Sequence, residues 1–175
     1  MSIGPIPSLE RFTTQYSETE DRISIVGETS EHRQVVLWLT RRLLDRLLPA
    51  LTQWLEKQTV VETRGEIFQY MAQRAARAAL DPQAPVERRV DTRNAIVHTV
   101  NITAREHGIE IVLRVNDAGG EAVVAMLLQG RQLRQWLNII FDQYSKAEWS
   151  LEVWPTWIRE AQASRAAPSS EVVVH

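Results

Sequence analysis

Apolar and polar positions change period along this chain in a fixed order, and the order occurs twice. His98–Ala104 alternates apolar and polar every second residue, as a half-buried strand does. After a turn at Glu106-His107-Gly108, Ile109, Ile111, Leu113 and Val115 line one face of a second strand. Asn116–Gly120 reads as a hairpin connection, because Asp and Gly tolerate positive φ. Val123–Leu128 is apolar at every position, which predicts a central strand covered on both faces. The spacing then becomes helical. Leu133, Trp136, Leu137, Ile140, Phe141 and Tyr144 share one face of a helix predicted over Gln132–Lys146.

The N-terminal half follows the same plan. Phe12–Ser17, Arg22–Val26 and Val35–Leu39 read as strands, joined by polar turns at Glu18–Asp21 and Gly27–His32. Thr40 is placed to cap a helix over Arg41–Lys57, with Leu43, Leu44, Leu47, Leu48, Leu51, Trp54 and Leu55 as its apolar stripe. Pro49 lies inside that helix and predicts a kink, or a break into two shorter pieces. Ile23, Ile25 and Val26 fall on Ile109, Ile111 and Val112 at an offset of 86 residues. The offset grows to 88 for the third strands and to 90 for the helices, where Leu43 meets Leu133.

Between the two halves, Glu62–Leu80 is helical by composition, rich in the strong helix former alanine. Asp81-Pro82 ends it, and Pro85 to Asn94 reads as a charged loop. After the second helix, Trp149–Trp157 is aromatic and irregular. The fold class expected is α+β: two consecutive β-β-β-α units, six mainly antiparallel strands, a helical insertion between them, and helices packed on the sheet. A three-stranded half is marginal alone, so one domain over residues 10–160 is expected, with halves 10–57 and 97–146 sharing a core around the linker 62–80. Residues 1–9 are then an N-terminal extension and 161–175 a flexible tail.

This layout resembles two known architectures. PUR-repeat and Whirly-type single-strand binders also use tandem units of antiparallel strands followed by a helix, with four strands per unit where this chain shows three. The globular heads of DNA end-joining scaffold proteins are similar in another way: strands, a helical insertion, more strands, then a helix leading onward. That order is matched over residues 10–146. The first resemblance implies single-stranded nucleic acid as a ligand, although likeness of fold alone does not fix function.

Composition narrows the choice. The chain has 175 residues, 44% of them apolar, enough for a core without staples. A net charge of −2 argues against a protein whose main work is coating DNA or an anionic membrane, which needs a concentrated positive field. With no cysteine there is no disulfide framework, thiolate nucleophile, iron–sulfur cluster or cysteine zinc site. Residues 1–8 lack the features of a secretory signal, and no apolar run approaches the ~20 residues that span a bilayer. The expectation is a soluble cytoplasmic protein without a membrane partner.

His32, His98, His107 and His175 do not stand at metal-ligand spacing; His32 and His107 read as solvated turn residues and His98 as a packed imidazole on a strand. Gly119-Gly120 sits in a hairpin, not in a phosphate loop between a strand and a helix. Glu18, Glu20 and Asp21 share a polar turn, whereas acid–base pairs need environments that push their pKa values apart. No catalytic residue, metal ligand or cofactor is assigned.

Two features remain as partner-binding candidates. Arg42 and Arg46 lie one turn apart on the first helix, near Arg41, with Arg131 and Arg134 opening its counterpart. Trp149, Trp154 and Trp157 crowd nine residues around Pro155. Aromatics and arginine anchor interfaces and also stack bases, while a segment folded back over its own core is the plainer alternative for the tryptophans. Trp38, Trp54 and Trp136 fall at apolar positions and are expected in the core. The function expected is a non-catalytic interaction or assembly module that self-associates or binds a protein partner. The alternatives are a single-stranded nucleic-acid binder and an enzyme with a pocket between the two halves.

Overall fold

Six strands form one open sheet in the order in which the chain makes them. The structure is a computed structural model and describes residues 6–58 and 65–164. Strands β1 (Leu9–Ser17), β2 (Arg22–Thr29) and β3 (Gln34–Leu39) lead into helix α1 (Arg41–Lys57). Helix α2 (Gly65–Ala78) is inserted before β4 (Arg93–Arg105), β5 (Gly108–Asp117) and β6 (Gly120–Leu128), which lead into α3 (Gly130–Lys146). A short α4 (Thr156–Ala163) closes the described chain. This is the α+β arrangement of two β-β-β-α units, with the helices packed against the sheet.

Within each unit neighbouring strands are antiparallel. The units meet through a parallel pair, Val35–Trp38 beside Arg93–Ile96. The far ends of the sheet approach each other as well: Ala125 donates its N–H to the carbonyl of Pro7 at 2.9 Å, and Ser8 forms a parallel bridge with Ala125. β6 is therefore the last strand in the order, not the central one its apolar run predicts. Its inward set, Val124, Met126 and Leu128, is buried, whereas outward-facing Leu127 is exposed.

One core cluster draws on both units. Ile23, Ile25, Leu37 and Leu39 come from the first, and Ile109, Ile111, Met126 and Leu128 from the second. The helices that cover them are each 17 residues long. In α1 the buried positions are Leu44, Leu47, Leu48, Leu51, Thr52 and Leu55; in α3, Leu133, Trp136, Leu137, Ile140, Phe141 and Tyr144 are buried at matching places. The shift that carries Arg41 to Gly130 and Lys57 to Lys146 is 89 residues, and it also lays inward-facing Leu37 and Leu39 on Met126 and Leu128. The offsets of 88 and 90 read from sequence are each one residue off, which in a strand exchanges one face for the other.

α1 runs unbroken through Pro49. A mid-helix proline costs about 3 kcal/mol. Five buried leucines bracket it, each contributing about 2 kcal/mol, so packing outweighs the lost hydrogen bond and the predicted break does not occur. Thr40 caps the helix as expected, its hydroxyl accepting from the Leu43 N–H at 3.3 Å.

Two glycines hold positions that no other residue fits well. Gly120 closes the β5–β6 hairpin at φ 95°. A Cβ on Gly108 would lie 2.5 Å from the carbonyl oxygen of Leu128, so β5 begins where the chain passes too close for a side chain. Arg93 then ties the hairpin to β4 with two hydrogen bonds to Asp117, at 2.8 and 2.7 Å, and these hold the Asp117 carboxyl below the usual carboxylate range.

Candidate functional site

The three clustered tryptophans are part of the molecule's own core. Trp149, Trp154 and Trp157 are 7%, 1% and 3% exposed. Tyr144 of α3 meets Trp149 and Trp154 edge to face at 5.1 and 5.4 Å, and Phe141 meets Trp154 at 5.2 Å. The Trp149 indole donates to Asp21 at 3.1 Å and the Trp157 indole to Glu56 at 2.9 Å. Asp21 also accepts from the Tyr16 hydroxyl at 2.9 Å, so it is a clasp between the β1–β2 turn and the tryptophan segment and not only a solvated turn residue. Burial, with a hydrogen bond to Asp45 at 2.8 Å, raises the Tyr144 hydroxyl pKa well above its ordinary value. Buried aromatics with internal partners leave a visiting protein or base little to touch. The partner-facing reading of this segment thus has no exposed surface behind it, and the core-capping alternative matches what is seen.

The segment is also less irregular than expected. Pro155 stands at the N-cap of α4, whose Trp157, Ile158 and Ala161 are buried. Ala161 thus belongs to a packed helix although sequence places it in the tail; residues 165–175, including Val172-Val173-Val174, lie outside the described residues.

The basic cluster separates. Arg42 and Arg46 lie on the exposed side of α1, and Arg131 is exposed on α3. Arg134 is buried between α2 and α4, with its guanidinium 5.5 Å from the Trp157 ring centre. Desolvation pushes its pKa down to about 10, which leaves it charged at neutral pH. Of the other expectations, Trp136 is core as read, Trp54 only half-buried against it. Trp38 lies on the outer sheet face, half-exposed and donating to Asn94. His98 is exposed there as well, in contrast to the packed imidazole expected.

The feature that sequence reading missed is α2. Its inward positions, spaced one helical turn apart, are Gln69, Gln73 and Ala76. Gln73 donates to the Arg134 carbonyl at 2.9 Å and to Asn138 at 3.0 Å; Gln69 donates to the Leu55 carbonyl at 3.3 Å and accepts from Arg134. Gln135 donates back to the Ala76 carbonyl at 3.0 Å. The inner face of α2 is therefore polar and hydrogen-bonded largely to α3, although the Gln73 Oε1 and the Asn138 Nδ2 are buried without a hydrogen-bond partner among the described residues. Its outer face carries an apolar group, Ile67, Phe68 and Met71, which are 63%, 52% and 62% exposed, bordered by the exposed Arg74. Ile67 and Met71 stand one turn apart with Phe68 beside them. Alongside runs a cleft of about 400 Å³ lined by Phe68, Ala72, Ala75, Leu55 and Arg131. A surface helix ordinarily turns its apolar stripe inward; α2 does the reverse.

The sequence signal for this arrangement is weak. Ile67, Phe68 and Met71 are visible as an apolar group, but which face of α2 meets the core depends on Arg134 and Asn138, more than 60 residues away. Among the described residues no three of His, Asp and Glu gather as metal ligands would, and no helix is long and apolar enough to cross a membrane. No protein family, curated protein or solved structure matches this chain.

Proposed function

We propose that this protein is a non-catalytic assembly module that associates with further copies of itself through the outer face of α2. The observation that carries the reading is the inverted polarity of that helix: Ile67, Phe68 and Met71 face solvent while Gln69 and Gln73 are buried. Exposed apolar side chains standing together mark interaction surfaces, because water around them is released when a partner covers them. Methionine and phenylalanine suit that role, one adapting to an irregular partner surface and the other presenting a large flat one. The adjoining cleft offers a socket for a side chain from the partner. In this reading Arg42 and Arg46 are solvated helix residues, and the tryptophans hold α4 in place.

The test is a double variant, Ile67→Glu with Met71→Glu. Both positions are exposed, so folding stability should change by no more than about 0.5 kcal/mol. Light scattering should then give a lower mass for the variant than for the parent chain at equal concentration. An unchanged mass overturns the reading.

A further inference from the structure

We propose that a second copy of this chain pairs with the bare edge of β4, Val97–Arg105, as an antiparallel strand related by a twofold axis near Asn101. The proposal rests on the self-association reading and assigns to it a surface distinct from α2. A strand edge exposes unpaired N–H and C=O groups, and proteins usually cover or blunt it. The β1 edge is covered: the Tyr16 N–H donates to the Gln143 side chain of α3 at 3.0 Å, and the Val86 N–H of the loop before β4 donates to the Thr13 hydroxyl at 2.8 Å. The β6 edge is met by Pro7 and Ser8.

The middle of the sheet is treated differently. β4 pairs with β3 only over Arg93–Ile96, while its pairing with β5 continues to Arg105. β3 ends at Leu39 and the chain turns away into α1. From Val97 to Arg105, one side of β4 therefore has no strand partner among the described residues. The one irregularity is a register shift between Val97 and Thr99 at the start of the stretch; beyond it, Thr99–Arg105 contains no proline, lysine or acid, and Arg105 is its one fixed charge.

The sequence of the edge selects its partner. In a parallel in-register pair of copies, Arg105 would lie beside Arg105. In an antiparallel pair centred on Asn101, Thr99 lies opposite Thr103 and Val100 opposite Ile102, while Arg105 lies beyond the register shift at Val97/Thr99 and away from its own copy. Those are β-branched cross-strand pairs without a like-charge clash, the kind that stabilises a sheet. A twofold pairing of identical edges is also self-limiting, because each edge is used once.

The experiment uses the full chain already carrying Ile67→Glu and Met71→Glu, so that the α2 contact is removed. Light scattering should still give twice the 20.1 kDa of one chain. Adding Thr99→Lys with Thr103→Lys sets like charges opposite each other and should halve that mass. Adding Thr99→Lys with Thr103→Glu sets opposite charges together and should keep it. As a check independent of the charge variants, Asn101→Cys in this cysteine-free chain should give a disulfide-linked dimer on mild oxidation, and Arg46→Cys should not. If the α2 variant is already a monomer, the edge proposal is overturned while the α2 reading stands. If the parent chain itself is a monomer, both are. A mass insensitive to the lysine pair, or equally lowered by the lysine–glutamate pair, also overturns the edge.

Discussion

Trp154 shows what a single side chain contributes to this fold. Its indole is enclosed by Phe141 and Tyr144 from α3, where a large ring leaves a large hole if removed. Trp154→Ala should cost about 3–5 kcal/mol, from lost burial and the cavity left behind. Calorimetry should record a markedly lower Tm; a loss below about 1 kcal/mol would mean that the segment does not close the core. The same residue shows where sequence reading stops. Tryptophan and the stiffening effect of Pro155 are legible, but the ring's position inside or outside is decided by Tyr144 and Phe141, which only the folded chain brings near. Asp21 is a second case: in sequence it is one acid among several in a turn, and in the fold it accepts from Tyr16 and Trp149.

Among the elements, α1 and α3 were readable because their buried positions recur at helical spacing and hold only apolar or weakly polar groups along the main stripe. Pro49 misled only because local propensity was set against five buried leucines. α2 was readable as a helix but not in orientation, since its inner face is glutamine and alanine. α4, at eight residues, is too short for periodicity to announce it. The polar seam under α2 makes a prediction of its own. Arg134→Ala removes the donor that holds Gln69, a charge-assisted contact worth about 2 kcal/mol, or roughly 30-fold in an opening equilibrium. Amide exchange in α2 should quicken by about that factor, while the central amides of β2 and β5 keep their protection. Equal loss in all three would show that α2 does not open separately.

At the scale of the whole molecule, the sheet order explains why one surface is left over. Two units, each antiparallel within itself, meet side by side in parallel at β3 and β4. The unequal lengths of those two strands leave Val97–Arg105 of β4 without a strand partner on one side among the described residues, while the outer edges are covered by α3, the loop before β4 and the N-terminal residues. The doubled plan was legible from the order of periodicities, and the strand neighbours were not, because an apolar run such as Val123–Leu128 reads the same at the centre of a sheet and at its end. The exposed face of α2 and the bare edge of β4 together make association with other copies the central claim. Its most direct test is the mass of the unmodified chain by light scattering across a micromolar concentration series. Association through both surfaces predicts a mass above twice 20.1 kDa that falls toward one chain on dilution. A constant 20.1 kDa at every concentration would contradict it.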